Sequence, residues 1–555
     1  MRLGKRTIGW MSALTLAGLI FASHPAVGQV IFVDNFNDTS GPLAAQGDGL
    51  VDVSKYRTPF GGLAGDNFVG RTNFRFTLPA ENVTTSASGS TDGKVAVLPF
   101  NTFNPDDAGN SFLGTDLISK RNFAVGGGLR MTTRMRVQSG TPAGLVAAPF
   151  LYDVSRDLPP LVRDEIDHEL LTNFAQSAGP DNTLTNVWND GDFASGGAPV
   201  IINNPSGFDI TQFHDYRTDW SPTSVKYYID NTLVRTETTV VPDDPMRAHW
   251  NFWAPDSSFT AAYSAALTPA ASGPGATYNV ELDKVQLERY NTTISGNLLA
   301  DPSFELQSGP GPNATGGWTL FNNAFYELAE VAPQDGLTTV KVFGPFSGGP
   351  NASGLFQNVA ALPGDEFSAS IFAHAPSADP IFGNQNFTNI TLQFVNAGGS
   401  VIGSVNFGPG TNQRDTPIFD GRDPNMIQNE WVNYSVDAVA PAGTAFVRFN
   451  AFFIQLANQG GAVFFDSPSL VKLTDATPSV PGDFDGDGDV DGRDFLAWQR
   501  GQSPSPFSPA DLATWQGAYN GGLLSAVNTV PEPASLALLA ACGVLLASRR
   551  GRRAC

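Results

Sequence analysis

The chain has almost no cysteine. Its two cysteines, Cys542 and Cys555, both lie at the C-terminal end of the 555-residue sequence. The body of the chain therefore forms no disulfides, and its domains must be held by hydrophobic cores and by any bound Ca²⁺. This excludes the small, disulfide-stapled folds that are common among exported proteins.

Basic residues are also scarce. The chain has 32 Lys and Arg against 53 Asp and Glu, which gives a net charge of −21 at pH 7. A surface this acidic repels nucleic acids and anionic lipids, so we expect no nucleic-acid partner. It does not hinder contact with a neutral polysaccharide.

Long helical periodicity is rare outside the two ends of the chain. The composition is instead rich in Gly (58), Pro (40) and aromatic residues (11%). Short strands joined by turns have this composition, which is typical of β-sandwiches. The length indicates several domains. We therefore predict an all-β fold with more than one sandwich.

The N-terminal segment, residues 1–28, has the pattern of a secretory signal peptide. Basic residues at Arg2, Lys5 and Arg6 precede an apolar run over residues 8–22, and Ala-Val-Gly at 26–28 provides a small-residue cleavage site. We therefore expect the protein to be secreted.

Three carboxylates alternate with other residues in the segment Arg163–Leu171. Ile166 is β-branched and favours a strand, in which successive side chains point to opposite faces. Glu165, Asp167 and Glu169 then share one face and raise each other's pKa. Such crowding suits an enzyme that needs one ionised and one protonated carboxyl group. The alternative is a solvated acidic face on an edge strand.

Four segments in this order resemble glycoside hydrolase family 16, whose fold is a concanavalin-like β-jelly-roll. They are residues 119–137, the E-I-D-x-E strand at 165–169, the hairpin over 213–231 and a closing strand that contains Asp283. The resemblance implies that residues 29–291 form such a catalytic domain.

The resemblance also implies roles for the acids. Glu165 matches the nucleophile of a retaining mechanism, Glu169 the general acid/base and Asp167 the assisting carboxylate between them. The implied substrate is a β-linked polysaccharide of the β-glucan or galactan class, cleaved within the chain. Asp34 and Asp283 are candidates for the structural Ca²⁺ that many relatives hold.

Three aromatic residues, Phe150, Trp188 and Trp253, are candidates for sugar binding because an aromatic ring packs well on the C–H face of a pyranose. For Trp188 and Trp253 a position in the core is the open alternative. His168 alternates with the acids, so we expect it to face between the sheets as a core residue.

A second β unit extends over residues 296–474. Its opening residues 297–305, Trp318 and a later Phe-Phe-Asp at 464–466 resemble the carbohydrate-binding jelly rolls of families 4, 9 and 16. That resemblance implies a sugar-binding module, and a purely structural sandwich remains the alternative. Trp318 is expected in its core.

A linker over residues 475–482 precedes a small α-helical module at 483–523. Its acids lie at positions 1, 3, 5, 7, 9 and 12 of a loop with Gly at position 6, the spacing of an EF-hand-type Ca²⁺ site. It resembles a dockerin repeat, and a loose second copy of its helical part follows at residues 511–517. Because this second copy lacks the loop, we expect one Ca²⁺ and no cohesin-type partner. The predicted ligands are Asp483, Asp485, Asp487, Asp489, Asp491 and Asp494.

The tail, residues 529–555, resembles a PEP-CTERM sorting signal. Val-Pro-Glu-Pro at 530–533 precedes an apolar run at 534–547, for which a hydrophobic helix is predicted, and then four arginines. The resemblance implies recognition by a sorting protease at the cell envelope. A plain membrane anchor is the alternative, although the run is shorter than the usual span of about 20 residues.

These patterns together predict a secreted or envelope-attached, endo-acting retaining glycoside hydrolase that needs no cofactor for catalysis. Two alternatives stay open. One is a non-catalytic glycan-binding or adhesion protein on the same fold. The other is a structural surface protein, which would leave the three-acid face without a purpose.

Overall fold

The computed structural model describes most of the chain between residues 29 and 526. The described residues are 29–36, 52, 54–57, 68–74, 85–154, 163–173, 182–191, 197–306, 317–407, 417–423, 426–475, 482, 484, 490, 492–500, 503 and 507–526. The predicted signal peptide and sorting tail lie outside these residues. The chain divides into two compact units, of which the larger is Gly28–Ala476.

The larger unit begins with a β-sandwich of seventeen strands among its described residues. Their bounds are β1 (Gln29–Asp34), β2 (Tyr56–Arg57), β3 (Phe68–Val69), β4 (Thr72–Phe74), β5 (Thr85–Ser86), β6 (Lys94–Asn101), β7 (Phe112–Phe123), β8 (Leu129–Val137), β9 (Val146–Val154), β10 (Arg163–Leu171), β11 (Asn182–Gly191), β12 (Val200–Asn203), β13 (His214–Ser221), β14 (Ser224–Ile229), β15 (Thr232–Glu237), β16 (Met246–Trp253) and β17 (Thr277–Arg289).

Two antiparallel layers make up this sandwich. The front sheet has the order β12-β11-β10-β9-β16-β7-β2. The back sheet has the order β15-β14-β13-β8-β17, and β6 and β1 pair with the two halves of the free edge of β17. Strand β10, which holds the three acids, therefore lies inside the front sheet, with β9 and β11 as its neighbours.

The core between the layers is aromatic and aliphatic. Trp220, Trp250 and Tyr227 are fully buried there, and each directs its polar atom to a partner. The Trp250 indole N–H donates to the Thr133 hydroxyl at 2.8 Å, and the Tyr227 hydroxyl donates to the Asn186 carbonyl at 2.7 Å. Because the polar atoms of these rings are hydrogen-bonded, burying the rings does not incur the free-energy cost of an unpaired polar group.

The second sandwich contains twelve strands among the described residues, in two six-stranded sheets. One has the order β20-β21-β29-β23-β27 with β18 beside β29, and the other β19-β22-β28-β24-β25 with β26 beside β24. The bounds are β18 (Thr292–Ile294), β19 (Thr319–Phe321), β20 (Ala324–Glu327), β21 (Thr339–Phe343), β22 (Asn351–Ala360), β23 (Glu366–His374), β24 (Phe387–Val395), β25 (Val401–Asn406), β26 (Phe419–Asp420), β27 (Trp431–Val439), β28 (Phe446–Gln455) and β29 (Ala462–Asp475).

A separate hydrophobic core fills this second sandwich. Trp318 is 2% exposed, packs edge-on against Phe449, and donates its indole N–H to the Asp301 carbonyl at 3.0 Å. The prediction that Trp318 belongs to the core is thus confirmed.

The two sandwiches meet through a buried charge cluster. Asp437 on β27 has no exposed surface, and its carboxylate accepts hydrogen bonds from Arg121 at 3.2 Å and from Arg289, both of the first sandwich. The same carboxylate accepts the Ala124 N–H at 3.3 Å, and the Asp437 N–H donates to the Asn122 side chain at 2.9 Å. One acid of the second sandwich therefore satisfies two arginines of the first.

Two further hydrogen bonds extend this interface. The Glu366 carboxylate accepts the Gly126 N–H at 2.7 Å, and the Arg247 guanidinium donates to the Phe407 carbonyl at 3.3 Å. Arg247 lies on β16, in the same front sheet as the three acids. The second sandwich is thus in direct contact with the front sheet.

The smaller unit contributes two helices, α1 (Gly492–Gln499) and α2 (Pro509–Ala526). Ser508 caps α2, because its hydroxyl accepts the Asp511 N–H at 3.0 Å, and Pro509 occupies the first helical position. Phe495 of α1 stacks against Trp515 of α2 with ring centroids 5.0 Å apart.

The prediction of an all-β chain with a jelly-roll sandwich, a second sandwich and a small helical module is confirmed over the described residues. The hydrophobic helix expected near the C-terminus falls outside them. Within the described part of the chain, neither helix is both long enough and apolar enough to cross a membrane.

Replacing Asp437 with Ala should destabilise the protein by about 3–5 kcal/mol, because it removes the carboxylate that pairs with the buried Arg289 and the partly buried Arg121. Chemical denaturation of the full chain measures this change. Glu330→Gln is the matched control, since its ion pair with Lys341 involves a half-exposed carboxylate and should matter by less than about 1 kcal/mol. Equal effects of the two substitutions would contradict the role given to the Asp437 cluster.

Candidate active site

The site is built on β10, in which successive side chains alternate between the two faces of the sheet, as predicted. Ile166, His168 and Leu170 are buried at about 1% exposure and face the back sheet, so that the odd-numbered residues lie on the opposite face. Glu165 and Glu169 on that outer face are partly buried, and Asp167 between them is 7% exposed. The structure therefore brings the three predicted acids together on one face of the front sheet.

Cross-strand pairing defines what lies beside each acid. Glu165 is opposite Tyr152 of β9 and Trp188 of β11, and Asp167 is opposite Phe150 of β9. Residues paired in this way share a sheet face. The outer face of the front sheet thus carries rows of aromatic and acidic side chains across neighbouring strands.

Glu165 interacts with Arg163, two residues earlier on the same face. The guanidinium lies 3.1 Å from the Glu165 carboxylate and 3.6 Å from the centroid of the Trp188 ring. Burial raises the pKa of Glu165 above the ordinary glutamate value, and the Arg163 charge and a side-chain hydrogen bond with Asp167 only partly oppose this rise. Arg163 therefore favours the ionised form of Glu165.

Asp167 has the opposite environment. Burial and the charges of Glu165 and Glu169 raise its pKa well above the usual range for an aspartate, and its hydrogen bond with Glu165 raises it further. A protonated Asp167 can donate that hydrogen bond to an ionised Glu165. The hydrogen bond between the two side chains thus favours the proton on Asp167.

Glu169 is protonated at neutral pH. Burial, followed by the nearby charge of Glu165, raises the pKa of Glu169 to about 8. On one face of one strand, Arg163 therefore favours a carboxylate at Glu165, and burial favours a carboxylic acid at Glu169. This division of protonation states is what general acid catalysis beside a nucleophile requires.

The three aromatic residues expected to bind sugar lie on or beside this face, and each contacts other protein groups. Trp188 is covered on one side by Arg163, and Phe150 lies 4.7 Å from the His249 ring, centroid to centroid. Trp253 packs against Phe259 at 6.3 Å, next to a small apolar cluster. All three rings are partly buried, so each has both a packing contact and an exposed part.

Sequence reasoning missed a histidine–aspartate pair on this face. His249 of β16 lies opposite Phe150, and its Nδ1 is 3.2 Å from the Asp116 carboxylate of β7. Both side chains are buried. The only signal in the sequence was the alternation of His249, Asn251 and Trp253 along one strand, because the pairing with Asp116 spans 133 residues.

Arg163 was also missed. It obeys the same alternation as the acids, two residues before Glu165, so the pattern of β10 could have placed it on the same face as the three acids. Its contact with Trp188 depends on the register of β10 and β11, which shifts between Arg163 and Glu165.

The possible calcium ligands of the first sandwich have cationic neighbours. Asp283 accepts hydrogen bonds from Arg134 at 2.9 Å and from Thr91, and Asp34 lies 3.6 Å from Lys55. No cluster of three metal-ligating side chains is found among the described residues.

Most of the predicted EF-hand-type loop lies outside the described residues, so five of its six acids are not placed. The sixth, Asp494, is fully buried and its carboxylate accepts the Phe484 N–H at 2.6 Å. This contact brings the two ends of the 483–494 segment together, as a closed loop requires. The unplaced ligands are Asp483, Asp485, Asp487, Asp489 and Asp491.

His168 occupies the core position expected for it. Its ring packs edge-on against Tyr216 at 5.2 Å and Tyr227 at 5.7 Å, and neither ring nitrogen has a hydrogen-bond partner among the described residues. Burial lowers the pKa of His168 to about 3. The imidazole is therefore neutral in the folded protein.

This burial makes stability depend on pH. The folded-state pKa of His168, about 3, lies below the ordinary value of 6.5, so the unfolded chain binds the proton first as the pH falls. Relative to His168→Leu, the unchanged protein should lose up to about 1.4 kcal/mol of unfolding free energy per pH unit between pH 6.5 and 3. Denaturant titrations at several pH values measure the difference.

Tyr227→Phe is the control, because it removes a buried hydrogen bond without a group that titrates in this range. Its effect should be the same at every pH between 6.5 and 3. Parallel pH curves for the unchanged protein and His168→Leu would show that the imidazole is not held neutral.

Comparison with known proteins agrees with this geometry. The family model "Glycosyl hydrolases family 16" matches residues 73–268. The beta-glucanase of Bacillus licheniformis is 35% identical over 113 residues, which are 20% of this chain and 41% of that protein. Xyloglucan endotransglycosylase/hydrolase protein 8 of Oryza sativa subsp. japonica is 28% identical over 153 residues, 27% of this chain and 48% of that protein.

Among solved structures, the Bacillus licheniformis beta-glucanase aligns with a TM-score of 0.33 and 21% identity, over 48% of this chain and 99% of that chain. This chain spans less than half the length of the two curated relatives named above. Residues 73–268, which include most of the first sandwich, are thus similar to glycosyl hydrolases family 16.

Proposed function

We propose that this protein is an endo-acting, retaining glycoside hydrolase that cleaves a β-linked polysaccharide of the β-glucan or galactan class. The observation that carries the proposal is the geometry of β10, which places Glu165 and Glu169 on one face with Asp167 between them and Arg163 beside Glu165. Arg163 favours the ionised form of Glu165, while burial and the charge of Glu165 raise the pKa of Glu169 to about 8. The matched family and the beta-glucanase relatives support the reaction class.

In the first step, the Glu165 carboxylate attacks the anomeric carbon while Glu169 gives its proton to the leaving glycosidic oxygen. The carbon–oxygen bond to the leaving sugar breaks, and an ester between Glu165 and the remaining sugar forms. Asp167, protonated and hydrogen-bonded to Glu165, stabilises the charge on that carboxylate until attack begins. Arg163 supplies the positive charge that keeps Glu165 ionised.

In the second step, water hydrolyses the ester. Glu169, now ionised, accepts a proton from the water, whose oxygen attacks the anomeric carbon, and Glu165 leaves as a carboxylate. Two inversions at one carbon retain its configuration. Loss of the Glu165 ester bond returns both acids to their starting protonation states.

The extent of this face across four strands supports cleavage within a polymer. Residues that share it belong to β11, β10, β9 and β16, four adjacent strands that together span roughly 14 Å at about 4.8 Å per strand spacing. A surface that runs across several strands suits an extended chain. The aromatic rings of Phe150 and Trp253 lie along it as partial sugar contacts.

The accessory parts belong to the same proposal and are supported by sequence patterns. Residues 1–28 would direct secretion, and 529–555 would be read by an envelope sorting protease or hold the protein at the envelope. The acids of the 483–494 loop would hold one Ca²⁺, for which carboxylate oxygens are suitable ligands. The closed ends of that segment at Phe484 and Asp494 fit this role.

The proposal is tested by incubating the protein with lichenan, laminarin, xyloglucan, agarose and carrageenan and measuring new reducing ends. At least one polymer should be cleaved, and Glu165→Gln should lower the rate by a factor of 10³ or more, roughly the scale expected for removing a nucleophile. Glu281→Gln, on the back sheet and paired with Arg136, is the matched control and should retain the rate.

Binding of these polymers without turnover would instead favour the glycan-binding alternative. Inverted configuration in the first product, seen by proton NMR of the anomeric signal, would contradict the two-step mechanism. Retained configuration is the expected result.

The pH profile provides an independent test. Because Glu169 must be protonated, kcat/KM should fall above about pH 8, and because Glu165 must be ionised it should also fall on the acid side. Arg163→Met removes the charge that lowers the pKa of Glu165, so the acid limb should move to higher pH. Activity at pH 5 should then fall more than activity at pH 7.

Arg136→Met is the control for this shift. It removes an arginine of the back sheet that pairs with Glu281, and it should leave both limbs in place. If the acid limb of the pH profile does not shift in Arg163→Met, or shifts equally in both variants, then Arg163 does not affect the pKa of the nucleophile.

A further inference from the structure

The second sandwich has a surface pocket that the proposed hydrolysis does not use. Its volume is about 620 Å³, within the range typical of small-molecule sites, and it lies where the chain enters β24 and leaves β28. Three chain segments meet there, at residues 382–385, 421–422 and 459. The lining residues are Phe382, Gly383, Asn384, Gln385, Gly421, Arg422 and Gln459.

Close backbone packing forms the floor of this pocket. The Gly383 N–H donates to the Gly421 carbonyl at 2.7 Å. A Cβ at Gly421 would lie 2.1 Å from the Ile381 carbonyl oxygen, and a Cβ at Gly461 would lie 2.4 Å from that of Pro380. Only glycine fits at both places, so the three segments hold one another in a fixed arrangement.

The polar side chains of the pocket are held in place and present donor groups. The Gln459 side-chain oxygen accepts the Gln385 N–H at 2.8 Å, and the described residues offer no partner to its Nε2. Both polar atoms of the Asn384 side chain are hydrogen-bonded. Its Nδ2 donates to the Gly460 carbonyl, and its Oδ1 accepts the Asn386 N–H. Such fixed amides bind a ligand hydroxyl without a further loss of side-chain freedom.

Arg422 contributes a donor without adding net charge. Its Nε and Nη2 donate to the Asp420 carboxylate at 3.1 and 2.6 Å, and its Nη1 has no partner in the described part of the chain. Since Asp420 neutralises the guanidinium, the pocket does not select for an anion. The net charge of the protein, −21, also disfavours acidic ligands.

Phe382 completes the pocket with an apolar surface. Its side chain is 44% exposed, although a large hydrophobic residue is usually covered. An exposed ring beside fixed amide and guanidinium donors offers one face for C–H groups and several donors for hydroxyl oxygens. Neutral sugars carry both kinds of group, with C–H groups on the faces of the ring and hydroxyl groups around its rim.

We propose that this pocket binds a neutral glycan, so that the second sandwich holds the polymer on which the first sandwich acts. The choice of a glycan as ligand rests in part on the proposed function, whereas the site itself does not. Phe382 would stack on a sugar ring, and Arg422, Gln459 and Asn384 would donate to its hydroxyl groups.

The test is affinity electrophoresis of the full chain in gels that contain a neutral polymer, namely lichenan, laminarin or xyloglucan. Glu165→Gln serves as the background, so that no polymer is consumed during the run. With at least one polymer, Phe382→Ala in this background should weaken retardation roughly five- to tenfold, as expected for loss of a central contact. Gln459→Ala should also weaken it.

Phe446→Ala is the matched control. This phenylalanine is 39% exposed in the same sandwich but lies at the other end of β28, roughly 30 Å away at about 3.3 Å per residue. It should leave retardation unchanged. Cleavage of a short, soluble oligosaccharide by the single Phe382→Ala variant should also be unchanged, which separates this site from the catalytic face.

Retardation that is the same with and without Phe382 would overturn the proposal, whatever the state of the hydrolase activity. So would the absence of retardation by all three polymers. A further gel with carrageenan, which is anionic, completes the test, and a stronger dependence on Phe382 there than with the neutral polymers would also overturn the proposal. Oligosaccharide cleavage by the unchanged protein and by Glu165→Gln tests the proposed hydrolase activity. The retardation measurement tests glycan binding by the pocket and does not depend on that activity.

Discussion

Strand β10 places three carboxyl groups on one face, and the electrostatic cost of that crowding determines the chemistry of the front sheet. Three adjacent charges in a partly buried site cannot all be ionised at neutral pH. The Arg163 guanidinium decides where the charge remains, because it lies beside Glu165 and far along the strand from Glu169. The site therefore favours the charge on Glu165 and the protons on Asp167 and Glu169.

The rest of the fold supports this arrangement. The opposite face of β10 is buried against the back sheet through Ile166 and Leu170, which fixes the strand so that the acids cannot exchange faces. The second sandwich contacts the front sheet at Arg247, which lies opposite Tyr152 and thus in the same cross-strand row as Glu165. The buried Asp437 cluster holds that contact in place.

The sequence was sufficient for features that depend on local alternation. A period of two in Arg163–Leu171 predicts a strand, puts the three acids on one face, and puts His168 in the core. The core position of Trp318 was expected from its place in the opening segment of the second unit, which resembles carbohydrate-binding jelly rolls. Each of these inferences uses residues within a few positions of one another.

Features that depend on partners far apart in sequence were not predictable. The pairing of His249 with Asp116 requires that β16 lie beside β7. The contact of Arg163 with Trp188 requires a register shift between β10 and β11. The pocket at Phe382 requires three loops to converge through close glycine contacts. Periodicity carries no information about any of these.

The division of protonation states can be measured directly by ¹³C NMR of protein labelled at the glutamate side-chain carboxyl carbons. Comparison with Glu165→Gln and Glu169→Gln assigns the two signals. The Glu169 signal should titrate near pH 8, and the Glu165 signal should titrate at a lower pH. Titration of both carboxyl groups together near pH 4.5, the ordinary glutamate value, would contradict the assignment of one as acid and the other as nucleophile.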